Sequence, residues 1–277
     1  MSTSSISNNP SALIALNTLE QVTAQLQTTQ SHISTGLQIA NAQDNPAVWT
    51  VTQGQSAAVT ALDSVTTSLN RAQSVLDVAL GAGQTISDLL QKIHSDVVSA
   101  SDPSLETTAR LALNVDVQSL IAQIKLTVDQ ASFNGVSLIQ TGATGFATLA
   151  DPTANASTVT VHPVSLAVGG PNISFTLGSS FTTVSQAKAL LTLVNASVQS
   201  VNSAVGGLGV QSNTLSAHLT LVSTFQDTLI SGVGDQVDAN LGNESAALSA
   251  LQLKQQLSTQ TLSIANSTSS VLLGLFK

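Results

Sequence analysis

The sequence contains no cysteine and no tyrosine, and it has few aromatic or charged residues. Aromatics make up 3% of the 277 residues, and Asp, Glu, Lys and Arg together make up 8%. Without cysteine there is no disulfide framework, no thiolate nucleophile and no zinc-thiolate site. The net charge of -8 argues against a nucleic-acid partner, because phosphate binding requires clustered Lys and Arg.

The sequence also lacks the patterns of membrane proteins and of enzymes. No apolar run is long enough to span a bilayer, and residues 1–10 have neither the basic start nor the apolar core of a cleaved secretory signal. The four histidines occur singly, without the spacing of a metal site, and nucleophile-elbow and P-loop motifs are absent. We therefore expect no cofactor, no metal, no membrane insertion and no catalytic residues.

Apolar residues at the two ends of the chain recur at alternating three- and four-residue spacing, which is typical of helices that pair along a seam. With 42% hydrophobic residues and few aromatics, the core is expected to be aliphatic. The sequence predicts an N-terminal helical arm from Pro10 to Asp44 that pairs with a C-terminal arm. The N-terminal rows are Ala12, Leu19, Leu26 and Ile33, and Ala15, Val22, Thr29 and Gly36. The C-terminal rows are Leu241, Leu248, Gln255 and Leu262, and Val237, Leu251, Ala265 and Leu272.

Between the arms, the same spacing predicts three further helices. One runs from Leu62 to Val97 and beyond, a second begins at Pro103 with Asp102 as its N-cap, and a third covers 187–229. The first arm should break at Asp44, Asn45 and Pro46, because the residue before proline avoids the helical conformation. A second joint is expected at Gly232-Val233-Gly234.

Residues 138–182 differ in composition and predict one or two short β-hairpins. Gly, Pro and Thr are more frequent there, and β-like runs occur at 158–161, 164–168 and 173–177. A turn is expected at Gly169-Gly170-Pro171-Asn172. The helix before this insert is expected to stop at a tight turn, because Asn134-Gly135 supplies the positive φ that such a turn needs.

Three short segments resemble the bacterial flagellins. Ser34-Thr35-Gly36-Leu37-Gln38-Ile39, followed by Asp44-Asn45-Pro46-Ala47, is similar to a motif of that family's N-terminal region. Ser132-Phe133-Asn134-Gly135-Val136 resembles its "x-F-N-G-x" segment, and Leu272-Leu273-Gly274-Leu275-Phe276-Lys277 resembles its apolar C-terminus. Leu208-Gly209 with Asn213 resembles a further family pattern, although Thr214 replaces the usual Arg.

The resemblance implies a structural subunit that polymerises into the flagellar filament and transmits motor torque for swimming. It also implies export through the flagellar type III apparatus to the cell exterior, without signal cleavage. Implied partners are many copies of the chain or sibling flagellins, the filament cap, hook-associated proteins and an export chaperone. Two alternatives stay open, namely the hook-filament junction protein and a non-flagellar coiled-coil adaptor.

The predicted fold is mainly α, an elongated rod of long antiparallel coiled-coil-like helices with a small β-hairpin insert and paired terminal helices. Three domains are expected: residues 1–45 with 235–277 as the filament-core arms, 46–137 with 183–234 as the long-helix rod, and 138–182 as the outer insert. The turn and joint residues are Asp44, Asn45, Pro46, Asn134 and Gly135. The residues expected to pack the arms during assembly are Leu19, Val22, Leu26, Ile33, Leu37, Leu241, Leu248, Leu251, Leu262, Leu272 and Leu275.

Overall fold

The computed structural model describes residues 9–150 and 157–274, with the side chains of the last helix described as far as Ser267. In these ranges the chain forms five helices and one two-stranded antiparallel sheet, which confirms the prediction of a mainly α protein with a small hairpin. The elements are α1 (Pro10–Thr35), α2 (Pro46–Ala100), α3 (Thr107–Gln130), β1 (Phe146–Leu149), β2 (Thr158–Val161), α4 (Val184–Val237) and α5 (Leu241–Gly274).

The chain divides into two compact units. Unit 1 comprises Met1–Ala57 and Thr228–Lys277, and unit 2 comprises Ala58–Asp227. The boundaries fall inside α2 and α4, so each of these helices contributes residues to both units. The three-domain division expected from the sequence stays a prediction.

Helix α1 is defined by a side-chain cap at its start and by a glycine at its end. The Oδ1 of Asn9 accepts a hydrogen bond from the N–H of Ala12 at 3.2 Å, and Pro10 occupies the first turn, where its missing N–H is not needed. The helix ends at Gly36, which has a φ of 73°. The prediction that this helix continues to Asp44 is therefore wrong, because a left-handed glycine at this position ends the helix.

Residues 36–45 connect α1 to α2 through local hydrogen bonds. The Oδ2 of Asp44 accepts from the N–H groups of Ala40 and Asn41 at 2.9 and 3.1 Å. The Oδ1 of Asn45 accepts from the N–H of Val48 at 3.2 Å, which caps α2 just before its first residue, Pro46. Asp44, Asn45 and Pro46 thus lie where the chain turns into the second helix.

The connection between α4 and α5 lies at residues 238–240 and not at Gly232-Val233-Gly234, so the predicted second joint is wrong. Helix α4 continues through both glycines to Val237, since a helical glycine costs about 1 kcal/mol without ending the helix. Helix α5 begins at Leu241 and is capped by Asn240, whose Oδ1 accepts from the N–H groups of Gly242 and Asn243 at 3.1 Å each. Val237, predicted to lie in the C-terminal arm, is therefore the last residue of α4.

In unit 2, α2 and α4 run antiparallel around an aliphatic core. Side-chain hydrogen bonds join Ser87 to Asn202, Gln73 to Ser212 and Asp63 to Gln226. Residues with lower numbers in α2 therefore pair with residues of higher number in α4, as in an antiparallel pair. The core residues from these two helices share the predicted three-and-four spacing. They include Leu62, Val65, Leu69, Leu76, Ile86, Leu90, Ile93 and Val97 from α2, and Leu190, Val194, Val201, Leu208, Leu215 and Val222 from α4.

Helix α3 begins at Thr107, so the prediction that it starts at Pro103 is wrong. The Oδ1 of Asp102 accepts from the N–H and the hydroxyl of Ser104 at 2.8 Å each, which makes residues 102–105 a separate turn. The buried side chain of Arg110 donates to the carbonyls of that turn. These bonds hold the turn carbonyls away from a helical geometry and delay the start of α3.

The insert contains one short hairpin, in which Phe146 lies opposite Val161 and Leu149 opposite Thr158. The strand at 158–161 was expected, and its partner β1 was missed. The runs at 164–168 and 173–177 are not strands, and only Val168 and Ile173 form an isolated bridge. Their apolar residues Leu166, Ile173 and Phe175 are buried in the core, so burial without strand pairing explains the β-like composition.

A tight turn follows α3. Phe133 and Val136 pair with each other across Asn134 and Gly135, whose φ angles are 50° and 78°. Positive φ at both central residues is the geometry of a two-residue hairpin turn. Asn134 and Gly135 are thus placed as turn residues.

Candidate assembly interface

Helices α1 and α5 pack against each other in unit 1, as predicted for the two termini, and polar bonds join them near both ends. The Nδ2 of Asn9 donates to the carbonyl of Ala265 at 2.8 Å. At the other end, His32 Nδ1 lies 3.1 Å from Glu244 Oε1, with both side chains largely buried. These two contacts fix α1 and α5 antiparallel.

A short backbone ladder adds a third connection in unit 1. The N–H of Gln38 donates to the carbonyl of Val237 at 2.7 Å, and the N–H of Ala239 donates to the carbonyl of Gly36 at 2.8 Å. Leu37 and Asp238 consequently form an antiparallel bridge. The two connections that interrupt the helices therefore hold each other in place.

The apolar core between α1 and α5 is small. Val22, Leu26 and Leu251 form one buried cluster, and Leu248 packs against it in a partly buried position. Ala15 and Thr29 are the other buried residues of α1. A core of this size leaves most of the surface of both helices in contact with solvent.

Among the described residues of the terminal helices, seven large apolar side chains lie exposed. Their exposed fractions range from 41% for Leu16 to 67% for Ile14. In α1 they fall outside the predicted heptad rows, and in α5 only Leu241 belongs to a row. The set consists of Leu13, Ile14 and Leu16 on α1 and Leu241, Leu253, Leu257 and Ile264 on α5.

The residues predicted to pack the arms are distributed over three environments. Val22, Leu26 and Leu251 are buried, and Leu241 is half exposed. The side chains of Leu272 and Leu275 lie outside the described residues. The partly buried group consists of Leu19, Ile33, Leu37, Leu248 and Leu262.

The heptad pattern missed six exposed residues, although their apolar character could have identified them. Leu13, Ile14 and Leu16 of α1, like Leu253, Leu257 and Ile264 of α5, are apolar positions outside the seam. A helix that uses only one seam keeps such positions polar. Their apolar character therefore indicates a second contact surface on each terminal helix.

Neither a metal-binding group nor a membrane-spanning helix occurs in the part of the chain that the structure describes. Across 9–150 and 157–274, no three side chains of His, Asp or Glu come together in a group that could hold a metal ion. A search of the same ranges for a helix long and apolar enough to cross a membrane finds none. The chemistry available in unit 1 is that of apolar packing between helices.

Family comparisons cover most of the chain. Residues 6–144 match the model of the bacterial flagellin N-terminal helical region, and residues 191–276 match that of the bacterial flagellin C-terminal helical region. A solved structure of a putative flagellar hook-associated protein from Vibrio parahaemolyticus aligns with a TM-score of 0.58 at 15% identity, covering 70% of this chain and 100% of that chain. That likeness concerns the fold alone.

Relatives named flagellin align over the full length. Flagellin FljO of Caulobacter vibrioides is 43% identical over 277 residues, which is 100% of both chains. A flagellin of Brucella melitensis is 30% identical over 281 residues, covering 99% of each chain. These relatives do not favour the junction-protein or adaptor alternatives. The chain therefore belongs to the bacterial flagellin family and is a structural subunit of the flagellar filament.

Proposed function

We propose that the chain polymerises through the exposed apolar faces of α1 and α5, each of which packs against terminal helices of neighbouring copies. One observation carries this proposal: the two helices bury a small cluster around Val22, Leu26 and Leu251 while seven large apolar residues stay exposed. Exposed apolar side chains on a helix that also buries a seam are available for contact with another chain. In a filament subunit, the available partner is another copy of the same chain.

Covering these faces favours assembly. Fully burying one Leu or Ile contributes about 1.5–3 kcal/mol, so side chains that are already partly covered gain about 1 kcal/mol each. Leu253 and Leu257, for example, are 59% and 57% exposed. Seven such residues contribute about 7 kcal/mol per copy to the assembled state, in addition to the contacts that α1 and α5 make with each other.

The low charge of the chain supports close packing of many copies. Charged residues are only 8% of the sequence, and like charges at high local density would repel one another. A contact between two different surfaces of identical subunits generates an open helical filament when its rotation does not close. Such a filament of helical subunits transmits motor torque as a propeller for swimming.

The proposed pathway and partners follow from the flagellin family. The chain is exported through the flagellar type III apparatus and assembles outside the cell. Its proposed partners are sibling flagellins, the filament cap, hook-associated proteins and an export chaperone. The proposal includes no catalytic reaction and no cofactor.

Seeded elongation tests the proposed assembly surface. Purified chain is mixed with short filament fragments, and growth is followed by pelleting and negative-stain electron microscopy. A variant with Leu253→Ser and Leu257→Ser should elongate at a protein concentration at least tenfold higher than the wild type requires, because two exposed contacts are removed.

The matched control carries Gln252→Ser and Gln256→Ser, which alter exposed polar positions on the same helix. This control should elongate like the wild type. If the leucine variant elongates as well as the control, α5 does not supply the contact surface. A wild-type chain that stays a small oligomer in the presence of seeds would reject polymerisation itself.

A further inference from the structure

Unit 2 carries an apolar row on α3 that lies exposed to solvent. Leu111, Val115, Ala122 and Leu126 follow one another at spacings of four, seven and four residues, which places them on one side of the helix. All four are exposed, and Val115 is 63% exposed. We name these four residues the α3 patch.

A second exposed apolar row lies on α4. Val210, Ala217, Leu221 and Phe225 follow one another at spacings of seven, four and four residues, and all are exposed. Val210 is 65% exposed and Phe225 is 54% exposed, although Phe is scarce in this chain. We name these four residues the α4 patch.

The two patches match in length and in character. Each spans sixteen positions, or fifteen steps of 1.5 Å, which is about 22 Å of helix. Large side chains stand at the first, twelfth and sixteenth positions of the α4 patch, and the α3 patch places Leu111, Ala122 and Leu126 at the same positions. Neither patch contains a charged residue.

The patches lie at different levels along α2. The bonds of Gln73 to Ser212 and of Asp63 to Gln226 place the centre of the α4 patch level with about residue 70 of α2. A groove lined by Lys92 and Ser119 places the centre of the α3 patch level with about residue 92. The two centres are therefore about 30 Å apart along the helix axis.

This displacement favours a contact that propagates. A contact between two identical patches closes into a dimer, whereas a contact between two different patches of the same chain adds a further copy at each step. A copy shifted by about 30 Å along α2 brings its α3 patch to the level of the α4 patch of its neighbour. An open filament needs a repeated shift of this kind.

The size of the patches explains why the contact needs the filament. A face about 22 Å long on a helix about 10 Å wide presents on the order of 200 Å², whereas a stable pair buries about 800 Å² per partner. The two patches alone therefore do not hold a dimer together. Contacts made elsewhere in the lattice must bring the copies side by side first.

We propose that the α3 patch of one copy packs against the α4 patch of a neighbouring copy in the filament. This contact rests on the proposed function, because the terminal helices supply the main assembly contacts and the patches add a lateral one. It assigns a role to Leu111, Val115, Leu221 and Phe225, which the core of a single chain does not use.

Cysteine cross-linking tests the contact. The chain has no cysteine of its own, so that only the introduced cysteines can react. Two single variants, Ala122→Cys and Leu221→Cys, which stand at the same position of the two patches, are copolymerised with wild-type chain, and intact filaments are treated with a short bis-maleimide. A cross-linked dimer should form only when both variants are present in filaments. The free mixed chains should stay monomeric under the same treatment.

The matched control pairs Ala122→Cys with Ser223→Cys, which lies two residues from Leu221 on α4, is exposed, and stands outside the α4 patch. The control pair and each single variant alone should give less than one tenth of the dimer. Intact filaments in which the Ala122/Leu221 pair cross-links no better than the control would overturn the patch contact and leave arm-driven assembly standing. Failure of the wild-type chain to form filaments would overturn both proposals.

Discussion

The Nε of Arg110 donates a hydrogen bond to the carbonyl oxygen of Ala100 at 2.9 Å. Ala100 is the last residue of α2, and Arg110 stands in the first turn of α3. The same guanidinium donates from Nη2 to the carbonyls of Asp102 and Leu105, also at 2.9 Å. One buried cation thus satisfies the carbonyls at the end of α2 and fixes the turn that follows.

Replacing Arg110 by Met should lower the free energy of unfolding by about 3 kcal/mol, because three carbonyls lose a charged donor in a buried site. Lys should restore only part of this loss, since an ammonium group lacks the planar fork of donors. Urea unfolding followed by circular dichroism measures the change. The control is Arg71→Met on exposed α2 surface, and equal losses in the two variants would refute the role of Arg110.

Gly83 allows α2 and α4 to approach closely. A Cβ at this position would lie 2.7 Å from Val205 Cγ2 and 3.6 Å from Leu166 Cδ1. Gly83→Ala should therefore destabilise the chain by about 1–3 kcal/mol through overpacking, although Ala is the better helix former. The measurement is again urea unfolding.

Gly81, two residues earlier on the same helix, is the matched control because a Cβ there meets no atom within 4 Å. Gly81→Ala should increase stability by up to about 1 kcal/mol. Adding Val205→Ala to Gly83→Ala should recover part of the loss. Equal stabilisation by both glycine replacements would show that the helices do not meet at Gly83.

Asp96 makes stability depend on pH. Partial burial raises the pKa of Asp96 above its ordinary value, and the nearby charge of Asp116 raises it further. A carboxyl with a raised pKa in the folded state is ionised at a cost, so its contribution weakens stability as pH rises through that pKa. Asp96→Asn should therefore stabilise the chain at pH 7, by less than about 1 kcal/mol because of solvent screening.

At pH 3, where the carboxyl is protonated in both states, the same replacement should have little effect. Asp116→Asn should lower the pKa of Asp96 only part of the way toward its ordinary value. Burial is the larger cause of the raised pKa, and this replacement leaves the burial of Asp96 in place. Thermal unfolding at the two pH values and an NMR titration of Asp96 check these results. A stabilisation by Asp96→Asn that is equal at pH 3 and pH 7 would contradict the account.

The long helices were predictable because their apolar spacing is regular, as in the run from Leu62 to Val97. Their ends were less predictable, because the same residue type acts in opposite ways. Gly36 adopts a φ of 73° and ends α1, whereas Gly232 and Gly234 continue within α4. Tertiary contacts decide between these outcomes, as the bridge of Leu37 with Asp238 illustrates.

The candidate interface was predictable only in part. Heptad spacing identified Val22, Leu26 and Leu251, which pack within a single chain. It passed over Leu253 and Leu257, because a seam describes the pairing of two helices and not the surface left for further copies. Arg110 was also missed, since a lone basic residue gives no sign that it will lie buried against carbonyls ten positions away.

The central claim is that the terminal helices complete their core only in the filament, and amide hydrogen exchange tests it most directly. In the free chain, amides at 10–45 and 235–274 should exchange rapidly, because the described residues of α1 and α5 bury a small apolar cluster and weakly packed segments open readily. Amides of α2 and α4 in unit 2 should be protected by their larger core. In filaments, α1 and α5 should become at least a hundredfold better protected. Terminal helices that are already as protected as unit 2 in the free chain, with no gain on assembly, would contradict the claim.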